Sequence, residues 1–366
     1  MIDRRLLINI DLILTGLVVT VCLIGILNIY SATTPYKIVG TAYYIKQFYW
    51  MLLGMSISLA VSSIDYHILE DVSYWFYGLL ILLLIAVLLV GKKTMGATRW
   101  LDFGLFTIQP SELMKIVIIM TFARFFNNFQ SVGGLTVKES LIPLGLLAVP
   151  AALIMKQPDL GTATLVILIA LSMIIYVGLR WSAIVIFTCV TIPMAWIGWT
   201  FLLRPYQKNR IFDFLDPERS RLGSGYHIIQ SKIAVGSGGF AGKGFIKGTQ
   251  SQLRFLPEQH TDFAFSVFAE EWGFIGCLLL IILYLSLVLW GLNIARRCND
   301  RFGGLLAVGV TAMLFWHIVI NMGMVIGLFP VVGVPLPFFS YGGTSMITSM
   351  VGIGLLQSIS MRRFMF

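Results

Sequence analysis

Ten stretches of about 20 predominantly apolar residues follow one another along the chain, and they limit its fold more than any other feature. Roughly 20 apolar residues in a helix cross the hydrocarbon core of a bilayer, where the backbone must satisfy its own hydrogen bonds. Hydrophobic residues make up 58% of the sequence and charged residues 12%, whereas about 25% of residues are charged in soluble domains. We therefore predict an all-α polytopic membrane protein with ten transmembrane helices, forming a single domain over residues 1–366.

The short loops between the apolar stretches carry an uneven distribution of charge. The stretches lie near residues 10–31, 44–63, 72–91, 110–127, 141–156, 160–178, 182–203, 263–292, 304–328 and 343–361. Ten crossings place one group of basic residues on the same side as both termini: Arg4, Arg5, Arg124, Lys138, Arg180, Arg296, Arg297, Arg301, Arg362 and Arg363. Because short cytoplasmic loops are enriched in Lys and Arg, we predict a multi-pass protein of the cytoplasmic (inner) membrane with both termini cytoplasmic.

The long polar segment 204–262 then faces outward between the seventh and eighth helices. It has nine basic and five acidic residues, and its apolar and basic residues are mixed in a way that predicts short amphipathic helices on the outer interface. Such a surface attracts anions such as phosphate head groups, although ordinary solvated loop charge is the alternative. Its glycine-rich stretch GSGGFAGKG lacks the complete pattern of a dinucleotide or phosphate-binding loop. The four cysteines have no metal-ligand spacing, so neither a disulfide nor zinc is expected.

Ionisable residues inside or beside membrane helices are costly unless they are paired or face a watery cavity. In QPSELMK, Pro110 is suited to open a helix, and Glu112 and Lys115 lie on one helix face three residues apart. They form either a structural ion pair or a contact with substrate. In KQPDLGTA, Asp159 either caps the following helix or lines an outward cavity near Lys156.

Two further segments combine polar groups with interrupted helices. PLPFFSYGGTS, residues 335–345, contains prolines and glycines that forbid a continuous helix, which predicts a re-entrant loop whose hydroxyls, such as that of Ser340, could repair its backbone. LPEQHTDFAFSVFAEEWG, residues 256–273, places Asp262 at the start of the eighth helix, where Thr261 could act as a helix cap. A cap alone does not require Arg254, Glu258 and His260 upstream.

The two carboxylates of this stretch are too far apart to act as a pair. On a continuous helix, Asp262 and Glu270 share one side but are separated by about 12 Å of rise, whereas glycosidase carboxylates are about 5 to 9.5 Å apart. The stretch therefore predicts a single base acting on a substrate whose leaving group departs unaided.

The chain resembles the SEDS family (shape, elongation, division and sporulation), and its short termini agree best with the elongation branch. The resemblance is carried by GATRWLDFGLFTIQPSELMK (96–115), QPDLGTA (157–163), GYHIIQSKIAVGSGGFAGKGF (225–245), GTQSQLRFLPEQHTDFAFSVFAEEWG (248–273) and PVVGVPLPFFSYGGTS (330–345). It implies a peptidoglycan glycosyltransferase that polymerises lipid II on the outer face of the membrane. The implied partners are a class B penicillin-binding protein and other membrane proteins of the elongation complex, not nucleic acid.

The resemblance also implies residue roles. Asp262 would be the essential acid, and Glu112, Lys115 and Asp159 match other sensitive positions. We predict that Asp262 takes the proton from the acceptor sugar's 4-hydroxyl, with undecaprenyl pyrophosphate as leaving group.

Several basic residues could hold the diphosphate: Lys115, Lys156, Arg210, Lys243 and Arg254. Glu258, His260 and Ser340 are supporting candidates. No metal ligands are predicted, although a divalent cation, Mg or Mn, could neutralise the departing charge. The alternatives are a lipid II flippase or transporter, and a non-catalytic scaffold for a penicillin-binding protein.

Overall fold

A computed structural model describes residues 9–34, 42–94, 97–102, 107–129, 133–202, 205–220, 224–256 and 258–363. Arg4 and Arg5, used above for orientation, lie outside these residues. The helices are α1 Leu12–Thr33, α2 Tyr43–Ser63, α3 Tyr66–Val90, α4 Pro110–Asn128, α5 Val137–Lys156, α6 Leu160–Val177, α7 Trp181–Ile197, α8 Pro205–Leu215, α9 Ser224–Ser237, α10 Thr249–Gln252, α11 Ala264–Arg297, α12 Arg301–Ile326 and α13 Gly343–Arg362. A π-helical turn, Gly198–Leu202, follows α7, and a 3₁₀ turn, Pro217–Ser220, follows α8.

A helix overlaps each of the ten apolar stretches, so the prediction of a helical, multi-pass membrane protein is confirmed. Within the described residues, seven helices are both long and apolar enough to cross a membrane: α1, α3, α5, α6, α11, α12 and α13. α7 has 17 residues, whereas α2 and α4 are longer but more polar. The number of ten crossings, and the single domain over the whole chain, stay predictions.

Local sequence signals begin several of these helices. Asp11 caps α1 by accepting from the Leu14 N–H at 3.1 Å. Pro110 begins α4 at a position where its missing N–H costs nothing. Thr136 and Glu139 form a reciprocal capping box at the start of α5. These ends depend on neighbouring residues alone, and they are therefore readable from the sequence.

Contacts at the two ends of the helices establish an up-and-down arrangement. At one end, Gln47 near the start of α2 donates to the carbonyl of Ser340 just before α13 (3.0 Å). At the other end, the side chain of Asp11 before α1 accepts from Trp290 late in α11 (2.8 Å). α12 packs against α4, α6, α11 and α13, and α12 and α13 are the most enclosed candidate spans. The core therefore lies around α12, and α7 lies at the periphery with Trp181 largely exposed.

The prediction of short helices in the long segment between α7 and α11 is confirmed by α8, α9 and α10. A small antiparallel sheet between α3 and α4 was not predicted. It has the order β1-β2-β3, with β1 Lys92–Thr94, β2 Ala97–Asp102 and β3 Thr107–Ile108. Leu101 pairs with Ile108 in its register. The strands are too short to give a clear alternating pattern in the sequence.

Helix α11 is interrupted at Gly273, which has φ 63° and ψ −160°. The carbonyl of Glu270 accepts from the Lys243 N–H at 3.0 Å, and the Phe274 N–H donates to the carbonyl of Gly239 at 3.0 Å. The loop after α9 thus takes over backbone hydrogen bonds that the helix loses. A Cβ at Gly238 would lie 2.1 Å from the Ala269 carbonyl oxygen. Glycine is therefore needed in this loop for close backbone packing.

The segment before α13 is irregular backbone enclosed by protein. Leu336, Phe338 and Phe339 are buried, and the hydroxyl of Ser340 accepts from the Leu336 N–H at 3.0 Å. A Cβ at Gly25 of α1 would lie 2.7 Å from the Cα of Phe339. Non-helical backbone of this kind is tolerated in a membrane protein where other helices surround it. The predicted role of Ser340 in backbone repair is confirmed.

Candidate functional site

Asp262 lies in a turn directly before α11. The carbonyl of Glu258 accepts from the Thr261 N–H at 3.1 Å, and the Asn321 side chain of α12 donates to the Asp262 carbonyl at 3.0 Å. The same amide nitrogen of Asn321 also donates to the carbonyl of Val334 at 2.7 Å. The backbone at position 262 is thereby attached to α12 and to the segment before α13. Asp262 itself remains partly exposed.

The interpretation of Thr261 as a helix cap is wrong. Its hydroxyl donates to the carbonyl of Glu258 (3.2 Å) and to the Glu258 carboxylate (3.1 Å). α11 begins at Ala264, and its N-cap Phe263 provides no side-chain hydrogen bond. The physical reason is the preceding turn, in which Glu258 adopts φ 47° and collects the nearby donors. Asp262 is thus presented by a turn and is not part of the helix.

Burial and the surrounding charges determine the pKa of Asp262. The pKa of this carboxyl is raised from 3.8 to about 6, mainly by burial and then by the negative charge of Glu258, while Arg210 and Arg99 act in the opposite direction. A carboxyl group with a pKa of about 6 is ionised at neutral pH and is a stronger base than an ordinary aspartate. We call these four residues, Asp262, Glu258, Arg99 and Arg210, the Asp262 site.

The two arginines of the Asp262 site come from elements that are distant in sequence. Arg210 belongs to α8 and donates to the carbonyl of Val331 at 3.1 Å. Arg99 belongs to β2, donates to the carbonyl of Pro158 and lies 3.9 Å from the carboxylate of Asp159. Both are partly exposed, and the Nε of Arg99 is buried with no hydrogen-bond partner among the described residues. Each guanidinium has five N–H donors, so both have donors left for an anion.

Asp159 connects Arg99 to the start of α6. Its carboxylate caps that helix by accepting from the Thr162 N–H (3.3 Å) and from the Thr162 hydroxyl (2.9 Å). It also accepts from the side chain of Gln109, just before α4, at 2.9 Å. The predicted cap is confirmed, and the residue is 4% exposed. Asp159 therefore orients Arg99 and has little surface of its own to offer a ligand.

The predicted ion pair of α4 is confirmed at depth in the bundle. The Nζ of Lys115 donates to the carboxylate of Glu112 at 2.8 Å and lies 2.8 Å from Nε2 of His317 in α12. The other ring nitrogen of His317 lies 2.8 Å from the carbonyl of Met313, which makes that nitrogen the donor and Nε2 the acceptor. Since Lys115 is 1% exposed, it joins α4 to α12 and presents no surface for a diphosphate.

Lys243 has a similar structural attachment in the loop after α9. Its Nζ donates to the carboxylate of Glu270 (2.7 Å) and to the hydroxyl of Thr249 (2.8 Å). Glu270 is 0% exposed and also accepts from the backbone N–H of Gln250 (2.9 Å) and of Ser251 (3.3 Å). Glu270 therefore holds the loop and α10 against the break in α11, and it is separate from the Asp262 site.

The remaining predicted site residues are distributed around the same end of the bundle. The ring of His260 packs against Tyr43, with centroids 4.6 Å apart, and its carbonyl accepts from the Tyr341 N–H at 2.9 Å. Burial lowers the pKa of His260, although Glu258 raises it in part. Lys156, at the end of α5, and Arg254 are exposed.

Four residues of these clusters were not predicted as site residues from the sequence: Arg99, His227, His317 and Asn321. His227 stacks on Phe263, with centroids 6.2 Å apart, and burial lowers its pKa while Glu258 raises it. His317 and Asn321 were detectable, because polar residues inside an apolar stretch are candidates by position. Arg99 gave no signal of its own in a loop with other basic residues.

The described residues contain no group of three or more His, Cys, Asp or Glu side chains that could hold a metal ion. Mg²⁺ often binds through one or two carboxylates together with substrate phosphates, and Asp262 and Glu258 could provide such a pair. The divalent cation therefore stays a prediction, and no step below depends on it.

Comparison with known proteins places this geometry in context. Residues 11–364 match the sequence profile of the FtsW, RodA and SpoVE cell cycle proteins. The peptidoglycan glycosyltransferase MrdB of Escherichia coli K12 is 45% identical over 313 residues, which cover 86% of this chain and 84% of that protein. The peptidoglycan glycosyltransferase RodA of Treponema pallidum is 35% identical, with 96% of this chain and 97% of that protein covered.

Two solved structures of related proteins are similar to this chain over nearly its whole length. One chain comes from a peptidoglycan synthase complex studied for its coordination of polymerization and crosslinking. It has a TM-score of 0.84, 31% identity and coverage of 98% of this chain and 99% of that chain. The rod shape determining protein RodA of Thermus thermophilus has a TM-score of 0.71, 26% identity and coverage of 97% and 98%.

Proposed function

Because this chain belongs to the FtsW/RodA/SpoVE family of cell cycle proteins, also called SEDS proteins, we propose that it is a peptidoglycan glycosyltransferase. Its substrate would be lipid II, polymerised into glycan strands during cell elongation. The observation that carries the proposal is the partly exposed carboxyl of Asp262, whose pKa is raised to about 6 by burial and Glu258 and on which the charges of two arginines from distant elements also act. A base under the influence of two cations suits a reaction that removes a proton and releases a diphosphate.

In the proposed reaction, Asp262 accepts the proton from the 4-hydroxyl of the acceptor sugar. The oxygen attacks the anomeric carbon of the donor, whose bond to the diphosphate breaks, and undecaprenyl pyrophosphate leaves with both electrons. Attack from the face opposite the leaving group converts an α-linked donor into a β-linked product. The leaving group is a stable anion, so no strong general acid is required.

The arginines of the Asp262 site have two roles in this scheme. Their charges limit the rise in the pKa of Asp262, which keeps the carboxyl ionised at neutral pH. Their remaining N–H donors can bind the diphosphate in a bidentate manner, for which guanidinium groups are better suited than lysines. We therefore keep Arg210 from the predicted diphosphate ligands and propose Arg99 as the second, in place of Lys115 and Lys243.

The decisive experiment is polymerisation of lipid II by the purified protein in detergent. Asp262→Asn keeps the shape of the side chain but removes the base, so we expect a loss of about 10²- to 10⁴-fold in rate. Asp216→Asn is the matched control, because Asp216 is an exposed aspartate of the same long segment. Both variants should keep the melting temperature of the parent protein. Near-normal polymer formation by the Asp262 variant would refute the role of Asp262 as a base.

The same assay separates the alternatives. A flippase has no membrane to cross in detergent, so it would make no polymer, whereas an enzyme does. A scaffold that only anchors a penicillin-binding protein would likewise make none, and its Asp262→Asn variant would still support growth. Absence of polymer from a folded, monodisperse parent protein would therefore count against the proposed activity.

The proposed orientation puts the Asp262 site on the outer face of the cytoplasmic membrane. A supporting observation is the position of four arginines at the end of the bundle away from the Asp262 site. Arg124, Arg296 and Arg362 lie near the C-terminal ends of α4, α11 and α13, and Arg180 directly precedes α7. A cysteine introduced by Asp216→Cys should react with an impermeant thiol reagent on intact spheroplasts. Reaction only after permeabilisation would contradict this orientation.

We also propose a class B penicillin-binding protein as partner, on the support of the structural similarity to a chain from a peptidoglycan synthase complex. That complex is described as coordinating polymerization with crosslinking. The purified chain should co-elute with the penicillin-binding protein encoded in the same genome. Separate elution at micromolar concentrations would argue against a stable pair.

A further inference from the structure

A cavity lies at the end of the bundle opposite the Asp262 site. It has a volume of about 810 Å³ and is formed by the last turn of α6, the end of α11 and the first turns of α12. Pockets for small molecules commonly measure about 300 to 1,000 Å³. The proposed glycosyltransferase reaction makes no use of this cavity.

The cavity is amphipathic from its mouth inward. Arg296 and Arg301 line it at the helix ends, and both are exposed. Its wall is apolar and includes the buried Leu305 and Val308, with the exposed Leu292 at its edge. Val308 lies seven residues into α12 from Arg301, which corresponds to about 10 Å along the helix. The cavity therefore joins a cationic rim to an apolar interior.

The cations of the rim are not neutralised within the described residues. Neither Arg296 nor Arg301 makes an ion pair or a side-chain hydrogen bond there. Asp300 also lines the cavity, but its carboxylate accepts from the Gly303 N–H (2.6 Å), from the Cys298 thiol (3.1 Å) and from the Tyr66 hydroxyl. The acid is thus held as the cap of α12, and two arginines against one carboxylate leave the rim with a net positive charge.

From this arrangement we propose that the cavity binds the phosphate head group and upper acyl chain of an anionic phospholipid from the leaflet opposite the Asp262 site. Basic pockets between membrane helices are typical sites for such head groups. A soluble anion would use the rim but not the apolar wall, and a neutral lipid would use the wall but not the rim. The charge of the rim together with the apolar wall favours an anionic lipid.

Gly304 provides a way to test the cavity without changing charge. It lines the cavity, and a Cβ at this position would meet only the Ala295 carbonyl oxygen, at 3.6 Å. Gly304→Leu should therefore fill the space without displacing neighbouring helices. Arg297 is the matched control for charge, because it is exposed and adjacent to Arg296 but does not line the cavity.

The experiment is native mass spectrometry of the full-length protein titrated with phosphatidylglycerol or phosphatidylcholine. We expect the parent protein to prefer phosphatidylglycerol. Loss of Arg296 and Arg301 to Gln should weaken that binding by on the order of fivefold per arginine and about thirtyfold together. Gly304→Leu should also weaken it, whereas Arg297→Gln should have a smaller effect than Arg296→Gln.

Three results would overturn the proposal. Equal affinity for phosphatidylglycerol and phosphatidylcholine would show that the arginines of the rim do not select an anionic head group. An equal loss in the Arg297 and Arg296 variants would mean general surface attraction and not a site. Displacement of phosphatidylglycerol by inorganic phosphate would identify a site for soluble anions. Melting temperatures are measured for every variant, including Gly304→Leu at a buried position, and retained values exclude unfolding as the cause.

Discussion

The strongest prediction concerns the response of polymerisation to pH. With a pKa of about 6, Asp262 is about 97% ionised at about pH 7.5 and about 9% ionised at about pH 5. A general base acts only when it is deprotonated, so the rate should fall about tenfold over this interval. An aspartate with the ordinary pKa of about 3.9 would still be more than about 90% ionised at pH 5. The acidic limb of the profile, meaning the pH range over which the rate falls as the pH is lowered, therefore distinguishes a raised pKa from an ordinary one.

Substitutions around Asp262 should move that limb in opposite directions. Glu258 raises the pKa of Asp262, so Glu258→Gln should shift the limb to lower pH. Arg210 lowers the same pKa, so Arg210→Gln should shift the limb to higher pH. Because both side chains are partly or fully exposed, we expect each shift to be less than about one pH unit.

The assay is the initial rate of lipid II consumption in detergent at substrate concentrations well below KM, where the pH profile reports the free protein, measured for the parent protein and both variants over the same pH series. Each sample is returned to neutral pH and measured again, which separates titration from irreversible unfolding. A limb near pH 4, or shifts of the same sign in the two variants, would refute the electrostatic account of the Asp262 site. Asp216→Asn should leave the limb unchanged.

Two predictions concern stability. Removing one charge of the buried Glu112–Lys115 pair, by Glu112→Gln or Lys115→Met, should cost about 3–5 kcal/mol, because it leaves the other charge unpaired. The double variant should melt closer to the parent protein, and a double variant less stable than either single one would contradict this reasoning. Gly238→Ala should cost about 1–3 kcal/mol, because its Cβ would approach the Ala269 carbonyl oxygen to 2.1 Å. Gly236→Ala is the control with no atom within 4 Å, and equal melting temperatures for the two variants would show that the contact is unimportant.

The positions of the membrane helices could be read from the sequence because hydrophobicity is a local property. The same holds for the cap formed by Asp159 and for the ion pair between Glu112 and Lys115. In each case the interacting groups are three residues apart, so the geometry of one helix brings them together. Asp262 was singled out by its position between polar residues and an apolar stretch.

What the sequence could not determine is which distant groups meet. Arg99 and Arg210 reach Asp262 from β2 and α8, and their positions depend on how a small sheet and a loop helix pack on the bundle. Lys243 was predicted as a diphosphate ligand but is bound to Glu270, because the loop after α9 inserts at the break in α11.

Spacing along the chain therefore determined the helices, their caps and the candidate base. Only the tertiary structure decided which charges act on that base, because the distances between charges on separate elements depend on packing that no local pattern encodes. It also decided that Lys115 and Lys243 are each held by a buried glutamate. The cavity beside Arg296 and Arg301 is likewise a property of three helices together.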